Sequence, residues 1–167
     1  MVEDIGIRPL AESLVKLFSA TGKSVATAES CTGGWIAKAI TDVSGSSACF
    51  AYGIVSYSNG AKESMLGVQN QTLVDNGAVS EAVVIEMAAG ALRLSGSDVS
   101  VAVSGVAGPD GGTDEKPVGT VWFAWAKRKP SAIETKSERI RFEGNRNEVR
   151  VQTVAHALKG VLDRIDA

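Results

Sequence analysis

The chain has one histidine, His156, and two cysteines, Cys31 and Cys49, in no metal-like spacing. Structural and catalytic zinc sites draw on clustered Cys and His ligands, so no metal is expected here. Two cysteines make no disulfide framework and suit a reducing compartment, which points to the cytoplasm. Charge of one sign is also missing. The formal net charge is -2 and basic residues do not alternate with aromatic ones, which argues against a nucleic-acid partner. No apolar run approaches the ~20 residues of a membrane span. Met1 to Pro9 carries Glu3 and Asp4 and has no apolar core, so it does not read as a signal peptide. Thr21-Gly22-Lys23-Ser24 looks like the end of a phosphate-binding P-loop, but the glycine required upstream is Leu17. Nucleotide triphosphate binding by that motif is therefore excluded, and no cofactor is expected.

What is present fits a globular chain. Its 167 residues are 44% hydrophobic and 22% charged and suggest one domain over residues 1–167. A chain of this length can bury roughly 70% of its unfolded surface without a disulfide or metal. Leu10, Leu14, Leu17 and Phe18 recur at helical spacing, and Gly22 follows as a stop. Strands are expected over Lys23–Ala28, Cys49–Tyr57, Asp98–Val106, Val118–Ala126 and Ala132–Phe142. Helices are expected over Thr32–Asp42, after Asn59 as a cap, over Asn70–Asn76, from Ser80 to Gly96, and after Asn145. The last two strands form a hairpin, rich in Lys and Arg, that reads as a charged sheet edge. The order predicts an α/β fold: a three-layer α/β/α sandwich on a mixed, mostly parallel sheet.

Three loops follow strands, where ligand sites of open α/β sheets lie. The first is Thr27-Ala28-Glu29-Ser30-Cys31-Thr32-Gly33-Gly34, a strand turning sharply into a helix. Ser30 sits where a nucleophile gains from free backbone N–H groups and the positive helix end. The plainer role for these residues is a helix cap. The second carries Tyr57 and then Lys62, in the first turn of a short helix. The helix dipole disfavours a cation there and helps lower its pKa. The third, Ser104 to Thr113, has four glycines and a proline in ten residues, and such a loop can bring backbone groups up to a ligand. Arg146 opens the last helix beside them.

No histidine lies near Ser30 in sequence, but a lysine can serve as its base if kept neutral. Lys62 is the candidate, with Arg146 either depressing its pKa or contacting substrate. Backbone N–H groups of Thr32 or Gly33 would hold the oxyanion, one such donor being worth about 3 to 4 kcal/mol of barrier. Gly33 and Gly34 keep the backbone thin enough for a carbonyl to approach. Cys31 is a rival nucleophile without an evident partner.

Ala28-Glu29-Ser30-Cys31-Thr32-Gly33-Gly34 resembles the signature of the CinA C-terminal domain family, the bacterial nicotinamide-nucleotide amidohydrolases. So, in the same order, do Tyr57-Ser58-Asn59 with Lys62, Gly77-Ala78-Val79-Ser80, Gly105-Val106-Ala107-Gly108-Pro109, Lys116 to Val121, and Phe142 through Gly144 to Arg146. The resemblance runs from about Lys23 to the final helix and matches the standalone form, without the larger N-terminal domain to which the family also occurs fused. It implies hydrolysis of the carboxamide of nicotinamide mononucleotide to nicotinate mononucleotide and ammonia, which returns a by-product of NAD consumption to NAD synthesis. It implies Ser30 as nucleophile, Lys62 as base and Arg146 as supporting cation, with Tyr57 and the Gly105–Gly108 loop, including Ala107, against the substrate. The family more often has threonine where this chain has Ser104, which keeps the hydroxyl and loses a methyl. The expected partner is a small nucleotide, with neither nucleic acid nor membrane, and a homodimer is plausible. Two alternatives stand beside this: an amidase for a related amide, and a non-catalytic nucleotide-binding or regulatory module.

Overall fold

The structure is a computed structural model and describes residues 6–165; the acidic start at Glu3 and Asp4 lies outside the described residues. The order is α1 (Ile7–Thr21), β1 (Val25–Glu29), α2 (Trp35–Thr41), β2 (Phe50–Val55), α3 (Asn59–Leu66), α4 (Asn70–Asn76), α5 (Glu81–Ser95), β3 (Val99–Gly105), β4 (Thr120–Arg128), β5 (Ile133–Arg141) and α6 (Arg146–Leu162). The sheet order is β2-β1-β3-β4-β5. β1 runs parallel to β2 and β3, while β4 is antiparallel to both β3 and β5. Four strands therefore point one way and β4 alone opposes them. The mixed, mostly parallel sheet is as expected.

Alternation along the strands builds two unlike cores. Val25, Val99, Val101, Val103, Phe123 and Trp125 face the layer of α1, α2 and α6. Ala28, Ala102, Ala124 and Ala126 face the layer of α3, α4 and α5. Small residues on that second face let α5 sit close, and the Ser100 hydroxyl donates to the Ala88 carbonyl at 2.6 Å. Gly90 of α5 lies against the Leu66 backbone, where a Cβ would overlap it. On the first face Gly160 of α6 lies over the Trp125 ring in the same way.

The two sheet edges differ. β5 alternates charged residues outward, as the Lys/Arg-rich hairpin predicts. β2 carries no charge at all. His156, on α6, is half-buried. Its ring packs 4.7 Å from that of Phe123 and meets Glu138 Oε2 at 2.9 Å. No helix among the described residues is long and apolar enough to cross a membrane.

Two boundaries matter for the site. The second helix starts at Trp35 and not at Thr32, because Gly33 and Gly34 take φ of 61° and 97° and hold the chain in a left-handed turn before it. The cap of α3 is Ser58 and not Asn59: its hydroxyl accepts the Ala61 N–H at 3.1 Å.

Candidate active site

The site begins where β1 ends. The Ser30 N–H still bonds the Val103 carbonyl at 3.1 Å, and the Ser56 N–H bonds the Glu29 carbonyl at 2.9 Å, so the sheet ladder fixes the start of the turn from both sides. Glu29 faces the α2 layer. Its buried carboxylate accepts the Thr32 hydroxyl at 2.6 Å, the Ile36 N–H at 2.7 Å and the Ala37 N–H at 3.0 Å. Glu29 is thus the cap of α2, supplied from the strand before it. Burial raises its pKa, and the hydrogen bonds it accepts oppose that rise.

Ser30, next along the strand, faces the other way, toward α3. There Lys62 is fully buried. Its Nζ lies 3.0 Å from Ser30 Oγ, 2.8 Å from the Ser56 carbonyl and 3.3 Å from the Tyr57 carbonyl. Among the described residues no carboxylate pairs with it. Burial pushes its pKa down. Cys31 is buried next to Ser30, and burial pushes its thiol up to about 12. It therefore stays a thiol at neutral pH and makes a poor nucleophile. Cys49 is also free and buried.

Arg146 lies across the mouth of the site. Its guanidinium donates to the Gly108 carbonyl at 2.9 Å and to the Tyr57 hydroxyl at 3.2 Å. It does not touch Lys62, whose pKa is lowered by burial first. Tyr57 is 62% exposed. Ser30, Lys62, Tyr57, Arg146 and Gly108 therefore form one connected set. Ser104 and Ala107 lie deeper. The Ser104 hydroxyl donates to the Ala78 carbonyl at 2.9 Å, and Ala107 joins the core. Gly105 packs against β4, where a Cβ would crowd the Thr120 carbonyl. Thr32 is buried with its hydroxyl on Glu29, Gly34 is the cap position of α2, and the Gly33 N–H bonds the Ser30 carbonyl at 3.1 Å. Of the two oxyanion donors expected from sequence, Gly33 is thus already occupied.

Arg150 was not singled out by sequence reasoning. Its Nε donates to the Cys31 carbonyl at 3.1 Å and an Nη to the Thr32 carbonyl at 2.9 Å, with its guanidinium 5.3 Å from the Trp35 ring centre. Its position one helical turn after Arg146 was the available signal. A cleft of about 610 Å³ opens on that side of the turn, lined by Arg8, Trp35, Lys38 and Arg150 among others. It includes neither Ser30 nor Lys62, and its cations are engaged: Arg8 with Glu12, Lys38 with Asp42, Arg150 with the two carbonyls. Ser30 and Lys62 lie on the α3 side. Among the described residues no group of His, Cys, Asp and Glu is placed to hold a metal ion.

Known proteins resemble this chain throughout its length. The family model described as "CinA C-terminal domain" matches residues 7–165. This chain belongs to the CinA C-terminal domain family. It is 53% identical over 156 residues to the nicotinamide-nucleotide amidohydrolase PncC of Escherichia coli K12, covering 93% of each chain. A CinA-like protein of Akkermansia muciniphila is 56% identical over 138 residues, 83% of this chain and 33% of that longer one. Among solved structures, the competence/damage inducible protein CihA of Agrobacterium tumefaciens superposes with a TM-score of 0.91 at 43% identity, over 95% of this chain and 94% of that one. The competence damage-inducible protein A of Klebsiella pneumoniae gives a TM-score of 0.91 at 39% identity, over 96% and 98%. The CinA fold therefore holds across the chain.

Proposed function

We propose that this member of the CinA family is an amidohydrolase that converts nicotinamide mononucleotide to nicotinate mononucleotide and ammonia. The relatives named for that activity support the substrate, and the surroundings of Lys62 Nζ support the mechanism. A neutral amine has two hydrogens and one lone pair. The Ser56 and Tyr57 carbonyls take the two hydrogens. The lone pair is then left for the Ser30 hydroxyl, 3.0 Å away. Burial without a counter-charge lowers the pKa of the amine and favours its neutral form, which is the form a general base needs.

Lys62 takes the Ser30 proton as Oγ attacks the carboxamide carbon. The oxyanion is held by backbone N–H of the Ser30–Gly34 turn. Collapse expels ammonia, protonated by Lys62, and leaves an acyl ester on Ser30. Water, deprotonated by Lys62, hydrolyses the ester. Arg146 and Tyr57 meet the substrate at the mouth, beside the Gly105–Gly108 loop. The reaction would return nicotinamide mononucleotide to NAD synthesis. We place the protein in the cytoplasm, acting as one domain.

Ammonia release measured on nicotinamide mononucleotide, free nicotinamide and NAD tests this reading. The nucleotide is expected to be the preferred substrate, and Ser30→Ala to be inactive on it. Equal rates on free nicotinamide would overturn the nucleotide assignment. Binding of the nucleotide with no ammonia released would leave a binding module.

A further inference from the structure

The residues from Thr32 to Ala37 supply the candidate oxyanion donors, and nearly all are already committed. The Gly33 N–H bonds the Ser30 carbonyl and the Trp35 N–H bonds the Thr32 carbonyl. The Gly34, Ile36 and Ala37 N–H groups face the Glu29 carboxylate. Of these six, the Thr32 N–H alone has no acceptor among the described residues, and Thr32 is fully buried. A buried, unpaired backbone N–H is rare and calls for an explanation.

The other end of the same peptide group supplies one. The carbonyl of the Cys31–Thr32 peptide accepts Arg150 Nε at 3.1 Å, from the α6 layer. A trans peptide is planar, so its N–H points opposite to its C=O. The Thr32 N–H is thereby turned away from α6 and toward the face that carries Ser30 Oγ and Lys62. A second bond, Arg150 Nη to the Thr32 carbonyl at 2.9 Å, stops the next peptide from rotating. Stacking on Trp35 at 5.3 Å holds the guanidinium itself. A hydrogen bond accepted at the carbonyl also polarises the peptide and strengthens the N–H as a donor.

We propose that Arg150 is a positioning residue that sets and polarises the Cys31–Thr32 peptide so that the Thr32 N–H receives the oxyanion. The inference rests on Ser30 being the nucleophile. A lysine cannot replace it fully, because one ammonium does not reproduce the planar fork that reaches two carbonyls. The group stabilises charge that develops only in the transition state, so its loss falls on kcat.

The test is steady-state deamidation of nicotinamide mononucleotide by Arg150→Met, Arg150→Ala and Arg150→Lys, with Ser30→Ala alongside. Loss of one oxyanion donor typically costs about 10²- to 10³-fold in kcat. Arg150→Met is expected to lose at least about tenfold in kcat while KM moves less than about threefold, the inequality that marks transition-state binding. Arg150→Lys should retain an intermediate rate. Added guanidinium at non-denaturing concentration should restore part of the Arg150→Ala rate, and methylammonium should restore less. A folded Arg150→Met with wild-type kcat overturns the inference. So does a loss carried by KM, or one that guanidinium leaves unchanged. If Arg150→Met does not fold, a wild-type kcat in Arg150→Lys, or no rescue of Arg150→Ala by guanidinium, overturns the inference equally. Activity retained by Ser30→Ala would instead overturn the nucleophile assignment on which the inference stands.

Discussion

Glu29 at the end of β1 and Lys62 of α3 are both ionisable and both fully buried, on opposite faces of the turn that follows β1. Their surroundings differ in kind. Glu29 accepts three hydrogen bonds and closes the start of α2. Lys62 has a hydroxyl and two carbonyls, and no anion. A buried ion that is fully hydrogen-bonded can serve the fold, whereas a buried amine without a counter-ion is driven toward neutrality. One face of the turn closes a helix, and the other holds an amine without a counter-ion, as the proposed base requires.

Breaking the Lys62 side has the largest expected effect on activity. Lys62→Met should abolish deamidation, with a loss of about 10³-fold or more for a base that also serves as acid. It should also raise the melting temperature, since an apolar chain of similar length replaces a buried amine. The pH dependence sharpens this. A lysine with its folded pKa lowered is protonated more readily in the unfolded chain, so stability rises with pH from that lowered value up to the ordinary lysine value near ~10.4. In Lys62→Met that rise should be missing, as urea midpoints measured across the range would reveal.

Glu29→Gln breaks the other side. Glutamine offers one acceptor oxygen where Ile36 and Ala37 use two, and sets an NH₂ against an N–H donor. The expected loss is about 2 to 3 kcal/mol of stability, read by urea denaturation. An unchanged midpoint would remove Glu29 from the capping role. Arg146→Ala is expected to be milder. It loses the bonds to Gly108 and Tyr57 and should raise KM about tenfold, or ~1.4 kcal/mol. The acid limb of the pH–rate profile should stay in place, because burial and not Arg146 sets Lys62; movement of that limb would return a tuning role to Arg146. Smallest is Thr27→Val. The buried Thr27 hydroxyl has no partner among the described residues, so its removal should stabilise by about 1 kcal/mol, a rise in melting temperature of roughly 2–4 °C.

How far these sites were legible in the sequence follows from how local each one is. Ser30 stands at a strand-to-helix turn and Lys62 in the first turn of the next such helix, so both could be picked by position. The alternation of Val99, Val101 and Val103 marks only the β3 face that packs on α1, α2 and α6; Ser100 and Ala102 on the other face are equally buried. Glu29 could not be explained, because its donors Ile36 and Ala37 lie seven and eight residues ahead and meet it only after the turn folds back. Helical periodicity starts α2 three residues early, because it does not register two glycines at positive φ. Arg150 was hidden because it binds backbone carbonyls, which leave no trace in side-chain patterns. Ser104 offered a hydroxyl at the start of the glycine-rich loop, yet it bonds the Ala78 carbonyl.

The proposed chemistry turns on the protonation state of Lys62, and the ¹⁵Nζ resonance of Lys62, followed through a pH titration of the folded protein labelled at lysine, measures it directly. Lys62→Met identifies the signal. A Lys62 amine that titrates below the other lysines is the predicted result. An ammonium that persists to the ordinary lysine range near ~10.4 would contradict it.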